Sequence, residues 1–128
     1  MKQELLLDAL VQAKRMAGLL NEVLDYSQQL SEALNRNDQV SVRLVLAMRE
    51  EPIAKLKLAD ETLKRQREAM PAGAEKEHFI KLLNGEKSAD PQENMLATRM
   101  EANRKLLERI KEIEKVLNRK ISREKAVI

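Results

Sequence analysis

The chain has no cysteine and no tryptophan, a single histidine, and only three glycines and three prolines in 128 residues. Each scarcity excludes something. Without cysteine there are no disulfides, thiolate metal sites or cysteine nucleophiles. With only Tyr26 and Phe79 as aromatics, at 2% of the chain, a core must be built from Leu, Ile, Val, Ala and Met. Such a core is a narrow seam between helices rather than a thick globular interior. Few glycines and prolines mean few breaks and few tight turns. No apolar run approaches the ~20 residues that span a bilayer. The opening stretch MKQELLLDALVQAK carries acids within its short apolar run, unlike a secretory signal. The expected location is therefore the cytoplasm.

Apolar residues make up 43% of the chain and charged residues 35%. That is too apolar for a disordered polyelectrolyte and too charged for a conventional globular enzyme. Leu, Ala, Glu, Lys and Arg dominate, as they do in long helices. The net charge of +3 is mild, but the first third leans acidic and the last quarter basic. Two accounts of this asymmetry stand. The two ends pack against each other, antiparallel or side by side, or both are solvated faces.

Apolar periodicity predicts an all-α single domain over 1–128: a long antiparallel helical hairpin plus a long C-terminal helix, in a coiled-coil-like bundle. A first helix is expected over 2–34. Leu6, Leu10, Ala13, Ala17, Leu20 and Leu24 form one row, and Met16, Leu20, Val23, Ser27, Leu30 and Leu34 a second. Two overlapping rows suit a helix with more than one neighbour. "NRND" (35–38) ends it, with Asn available for a left-handed closing residue and Asp38 or Ser41 for the next cap. So short a connection turns the chain back on itself. The second helix is expected over 39–69. Pro52 either kinks it or restarts it from the first turn, and an apolar phase that stays usable on both sides favours the kink. A short helix or linker is expected over 75–84, ending at Asn84-Gly85. "SADP" (88–91) then reads as a cap signal, with Ser88 or Asp90 capping and Pro91 just inside. The last helix is expected over 91–120, with a frayed tail beyond it.

Chemistry is sparse. His78 stands among Glu75 and Glu77, too few ligands for a convincing metal site. Glu50-Glu51 would serve acid–base work only if buried. There is no glycine-rich phosphate loop. The basic last helix interleaves its cations with Glu101, Glu108, Glu112 and Glu114 and has no aromatic for stacking, which argues against nucleic acid. No enzyme activity, cofactor, metal or small-molecule substrate is expected. What stands out is the segment MEANRKLLERIKEIEKVLNRKI (100–121). As a helix it gathers Leu107, Ile110, Ile113, Leu117 and Ile121 on one side. Asn103 falls in the apolar register that precedes them, where it either sets helix register or faces solvent. The methionines, adaptable in shape, lie in or near these seams.

Two segments carry a resemblance to a known family. The stretch LLNEVLDYSQQLSEALNRNDQVSVRLVLAMREEPIAKLKLADETLKRQRE looks like a helical hairpin closed by a terse polar turn. MLATRMEANRKLLERIKEIEKVL looks like a C-terminal amphipathic helix with an Asn ahead of a Leu-Leu pair. Together they resemble the FlgN-type flagellar export chaperones in pattern over most of the chain. Pro52 and the FIKLLNGEKSADP segment are not features that family requires. The resemblance implies a cytosolic chaperone that binds the C-terminal amphipathic segment of secreted hook–filament junction (hook-associated) proteins and delivers it to the export apparatus. Its implied contact surface is Met100, Asn103, Leu107, Ile110, Ile113 and Leu117. The alternative is a coiled-coil scaffold that forms homo-oligomers through the same stripe.

Overall fold

The computed structural model describes residues 2–127, with side chains as far as Arg123. The described chain is helical with no strand. It comprises α1 (Gln3–Asn35), α2 (Gln39–Met48), α3 (Glu50–Ala69), α4 (Ala74–Leu83) and α5 (Pro91–Val127). The all-α bundle expected from periodicity is the observed one.

The turn after α1 closes as its residues dictate. Asn37 takes the left-handed conformation (φ 56°). The amide of Asp38 then reaches back to the Ala33 carbonyl at 3.0 Å, the wrapped ending that satisfies the last carbonyls of a helix. The Asp38 carboxylate caps α2, accepting from the Ser41 amide at 3.1 Å and the Ser41 hydroxyl at 2.6 Å. The chain reverses, and α2 followed by α3 runs antiparallel along α1.

At Pro52 the favoured expectation is corrected. A continuous kinked helix over 39–69 is not formed; α2 ends at Met48 and α3 restarts at Glu50. Pro52 has no amide proton for the Met48 carbonyl, so the ladder is interrupted just before it. Pro52 sits instead in the first turn of α3, where a missing donor costs little. Arg49, the junction residue, keeps near-helical angles (φ −80°, ψ −9°).

α4 is the expected short helix, shifted by one residue. Its C-terminus requires Gly85. The φ there is +88°, and a Cβ would stand 2.9 Å from Glu101 Oε2 and 3.1 Å from Glu101 Cβ. Both the backbone conformation and the close pass of α5 therefore demand glycine. Asp90 caps α5, accepting from the Glu93 amide at 2.9 Å with Pro91 just inside. The last helix is longer than expected, running to Val127 rather than residue 120. Residues 121–127 contain neither glycine nor proline, and nothing in them stops a helix.

α1 is the axis of the molecule, packing against α2, α3 and α5. α5 runs parallel to it. Asn103 meets Ala13, Glu114 meets Ser27, and Lys120 meets Asn35, in step along both helices. The acidic first helix and the basic last one thus lie side by side, yet among the described residues no ion pair joins them. Apolar burial holds the contact, with the hydrogen bonds of Asn103, Glu114 and Lys120 beside it. Three clusters stack along α1. Leu6, Leu10, Ala13 and Met16 pack with Ala59, Leu63, Phe79, Leu82, Leu96 and Ala97. Leu20 and Val23 pack with Ile110. Leu30 and Leu34 pack with Val42, Val45 and Leu117. No helix is long and apolar enough to cross a membrane.

Candidate functional site

α3 and α5 flank α1 on either side, yet among the described residues no Cα of one comes within 8 Å of the other. The two are spanned in two places. At the lower end α4 inserts between them, with Phe79 and Leu82 fully buried. It occupies the fourth position of a four-helix bundle, but for only ten residues. At the upper end a side-chain bridge does the joining. The Arg49 guanidinium forks onto the Glu114 carboxylate, Nη1 to Oε1 and Nη2 to Oε2, the latter at 3.1 Å. The buried Ser27 hydroxyl lies 3.3 Å from Glu114 Oε1 and 2.8 Å from the Val23 carbonyl.

Between the end of α4 and that bridge the fourth position is empty. A groove with a cavity volume of about 440 Å³ lies there. Met16 and Leu20 of α1 form its floor. Leu56, Lys57 and Asp60 of α3 form one wall, and Met100, Asn103, Arg104 and Leu107 of α5 the other. Leu83 and Asn84 close its end. Along α5 its lining runs from Met100 to Leu107, roughly 10 Å at 1.5 Å per residue. The lining is mostly apolar, with charge only at the rims. Asp60 is already paired to Lys64 at 3.0 Å. Arg104 pairs with Glu101 and Glu108 along its own helix, and its hydrogen bonds hold the Glu101 carboxyl below the usual range. Lys57 makes no ion pair among the described residues.

The six residues implied as a contact surface divide in two. Met100, Asn103 and Leu107 come together on the groove wall. Met100 is half-buried and Leu107 is 37% exposed. Asn103 is buried, and its Nδ2 donates to the Ala13 carbonyl at 2.9 Å. That burial excludes the solvent-facing account of Asn103. Ile110 and Leu117 are buried and Ile113 half-buried against α1 and its neighbours. In this conformation those three are covered by their own chain. Periodicity alone did not single out the α3 wall or the α4 end. The signal available for the floor was the doubled apolar row of α1, which announced more than one neighbour for Met16 and Leu20.

A smaller polar cluster ties α4 to the first turn of α5. His78 Nε2 lies 2.8 Å from Glu93 Oε1, and the Ser88 hydroxyl donates to the same oxygen at 2.7 Å. These bonds, His78 first and Ser88 second, lower the Glu93 pKa below its ordinary 4.5 against the opposing effect of burial. A carboxylate with a depressed folded pKa stabilises the fold above its unfolded value. That contribution is lost as pH falls through the folded one. Acid titration below pH 4.5 is therefore expected to loosen α4, and Glu93→Gln should flatten that part of the stability profile; thermal melts across the window check it. An equal acid slope in both proteins would refute the assignment. Among the described residues, no group of three or more His, Cys, Asp or Glu side chains is placed to hold a metal ion.

No protein-family model, curated protein or solved structure matches the chain. The groove must therefore be read on its own geometry.

Proposed function

We propose that this chain is a helical binding module, an export chaperone of the FlgN-type kind, that receives an amphipathic helical segment of a secreted partner in the groove between α3 and α5. One observation carries the reading: the fourth bundle position is filled by α4 over its lower part and left open, with apolar walls, above it. α4 itself demonstrates what fits such a position, a short helix turning Phe79 and Leu82 inward with charged residues outward. An apolar groove open along its side and closed at one end by Leu83 and Asn84 suits about two turns of an amphipathic helix. Lys57, which has no ion-pair partner among the described residues, favours a segment with a carboxylate beside its apolar row on the α3 rim.

The cargo this reading assigns is the C-terminal amphipathic segment of flagellar hook–filament junction proteins, held in the cytoplasm before delivery to the export apparatus. Such a segment is disordered when free. Ordering it on binding lowers net affinity and keeps it releasable.

The test is a calorimetric titration of the full chain with synthetic peptides spanning those segments from its own host. A 1:1 complex of micromolar affinity is expected. Leu107→Asp places a carboxylate on the accessible wall without touching the buried stripe, and should abolish binding while leaving helicity intact. Ile110 and Leu117 are unsuitable for this purpose, since both are core. Binding that survives Leu107→Asp, or no binding by the intact chain, would overturn the proposal.

A further inference from the structure

The glutamates that interrupt the basic run of α5 are already engaged within the fold. Glu93 is held by His78 and Ser88. Glu112 pairs with Lys115 at 3.4 Å, and Glu114 with Arg49. Glu101 and Glu108 both pair with Arg104. At about 100° per residue, Arg104 and its two carboxylates share one side of the helix. Thr98, Ala102, Lys105 and Arg109 fall on the next side, away from the groove wall, with Arg99 at its edge toward α1.

Two hollows meet there. One, of about 360 Å³, lies in the seam between α1 and α5, with Lys14 and Arg99 in its lining. The other, of about 290 Å³, lies between α5 and the connection after α4, with Lys87 and Lys105 in its lining. Thr98 and Ala102 line both. Ala102 is exposed and ends at Cβ, so a chain can lie across it from one hollow to the other. Neither hollow shares a lining residue with the groove between α3 and α5.

Lys14, Lys87, Arg99, Lys105 and Arg109 are all exposed, and among the described residues none of them makes an ion pair. Against them stands the one carboxylate charge that Arg104, shared by Glu101 and Glu108, leaves unbalanced. The surplus is positive and local. It is also short. From Thr98 to Arg109 α5 rises roughly 16 Å. Asp90 lies below that stretch and Glu86 beside Lys87. Glu112 lies above it, with Asp25 of α1 at the same level, since Ser27 meets Glu114. A duplex or a charged bilayer would carry its negative charge past the cations and over these carboxylates. A short acidic segment ends where the cations end. The hollows also lack an aromatic side chain on which bases could stack.

We infer that this face of α5 is a docking surface for a partner protein, and that its occupant is a short peptide segment rich in aspartate and glutamate, laid across Ala102 between the two hollows. Exposed charge pairs are individually weak and are screened by salt. The contact is therefore reversible and salt-sensitive. It lies on the opposite side of α5 from the groove and stands whether or not that groove binds a helix.

The probe is a fluorescein-labelled peptide of about six glutamates, long enough at roughly 3.4 Å per residue to cover the patch. Its anisotropy is followed against the full chain at low salt. Saturable binding that falls as salt is added is expected. Arg99→Glu with Lys105→Glu reverses one cation in each hollow and should weaken binding at least about tenfold. Lys111→Glu with Arg119→Glu makes the same change in net charge elsewhere on α5 and should weaken it less than about threefold. All four side chains are exposed, so both variants should keep the parent circular dichroism. Equal losses in the two variants would mean attraction to net charge alone and would overturn the inference. So would no binding by the parent chain, or tighter binding at equal salt of duplex DNA or of phosphatidylserine vesicles than of the peptide.

Discussion

Replacing Phe79 by alanine is expected to lower stability by about 4 kcal/mol. Phe79 is the largest fully buried side chain, and it sits in a helix of ten residues. A helix that short does not persist in water without tertiary support. Its support is the contact of Phe79 and Leu82 with Leu63 of α3 and with Leu96 and Ala97 of α5. Removing the ring leaves a cavity where the apolar face of α4 meets both outer helices. α1, α3 and α5 keep their own contacts, so the loss should be uneven. Hydrogen exchange in 74–83 should rise toward that of a free peptide while the centre of α1 stays protected. Chemical denaturation followed by far-UV circular dichroism gives the free-energy change, and Phe79→Leu should lose clearly less. A change below about 1 kcal/mol for Phe79→Ala, smaller than surface-area transfer alone requires, would mean that α4 does not hold the bundle position described.

The second large effect is expected at the bridge between the hairpin and α5. Arg49→Met removes the guanidinium from Glu114 and leaves the carboxylate facing Ser27 and apolar neighbours. The side chains of Arg49 and Glu114 are 15% and 25% exposed, so the pair is partly screened, and the expected loss is about 2–3 kcal/mol, at or below the lower end for breaking a buried pair. Glu114→Leu alone strands the arginine and should cost less, because the longer side chain can reach solvent. The double variant Arg49→Met with Glu114→Leu should recover most of the loss, since two apolar groups of similar volume replace a desolvated pair. Equilibrium denaturation of the four proteins closes the cycle. Additive losses with no recovery would show that the two side chains do not act on each other.

These two sites show what could be read from residue order and what could not. The helices, their turn and two of their caps were legible because they depend on neighbours in sequence. Asn37 and Asp38 close and open helices by contacts within a few residues, and so does Asp90 ahead of Pro91. Pro52 was legible as an interruption but not as a split, because the choice depends on how the chain packs on either side of Arg49. Helix α5 was placed correctly at its start, where a proline and a capping Asp mark it. Its end was misplaced, because nothing local marks a helix that simply continues.

The groove was half legible. Met100, Asn103 and Leu107 lie on one helical face, and a face is a local property. That Ile110, Ile113 and Leu117 on the same stripe are covered while Leu107 is open is not local. It follows from α5 tilting its stripe onto α1 and from α4 stopping where it does.

Residue order alone was enough to specify a bundle of amphipathic helices. Composition removes cysteine chemistry, aromatic cores and phosphate loops, and apolar spacing at helical period leaves few other ways to bury those apolar rows. Which apolar residues remain uncovered was settled by how the helices pack. Helical period assigns a residue to a face, but whether that face meets a neighbour depends on the lengths of the other helices. α4 is too short to fill its position, and α2 has only one side against the core. The open wall at Leu107 and the exposed row of Val40, Leu44 and Met48 on α2 are consequences of those lengths, which no single helix encodes.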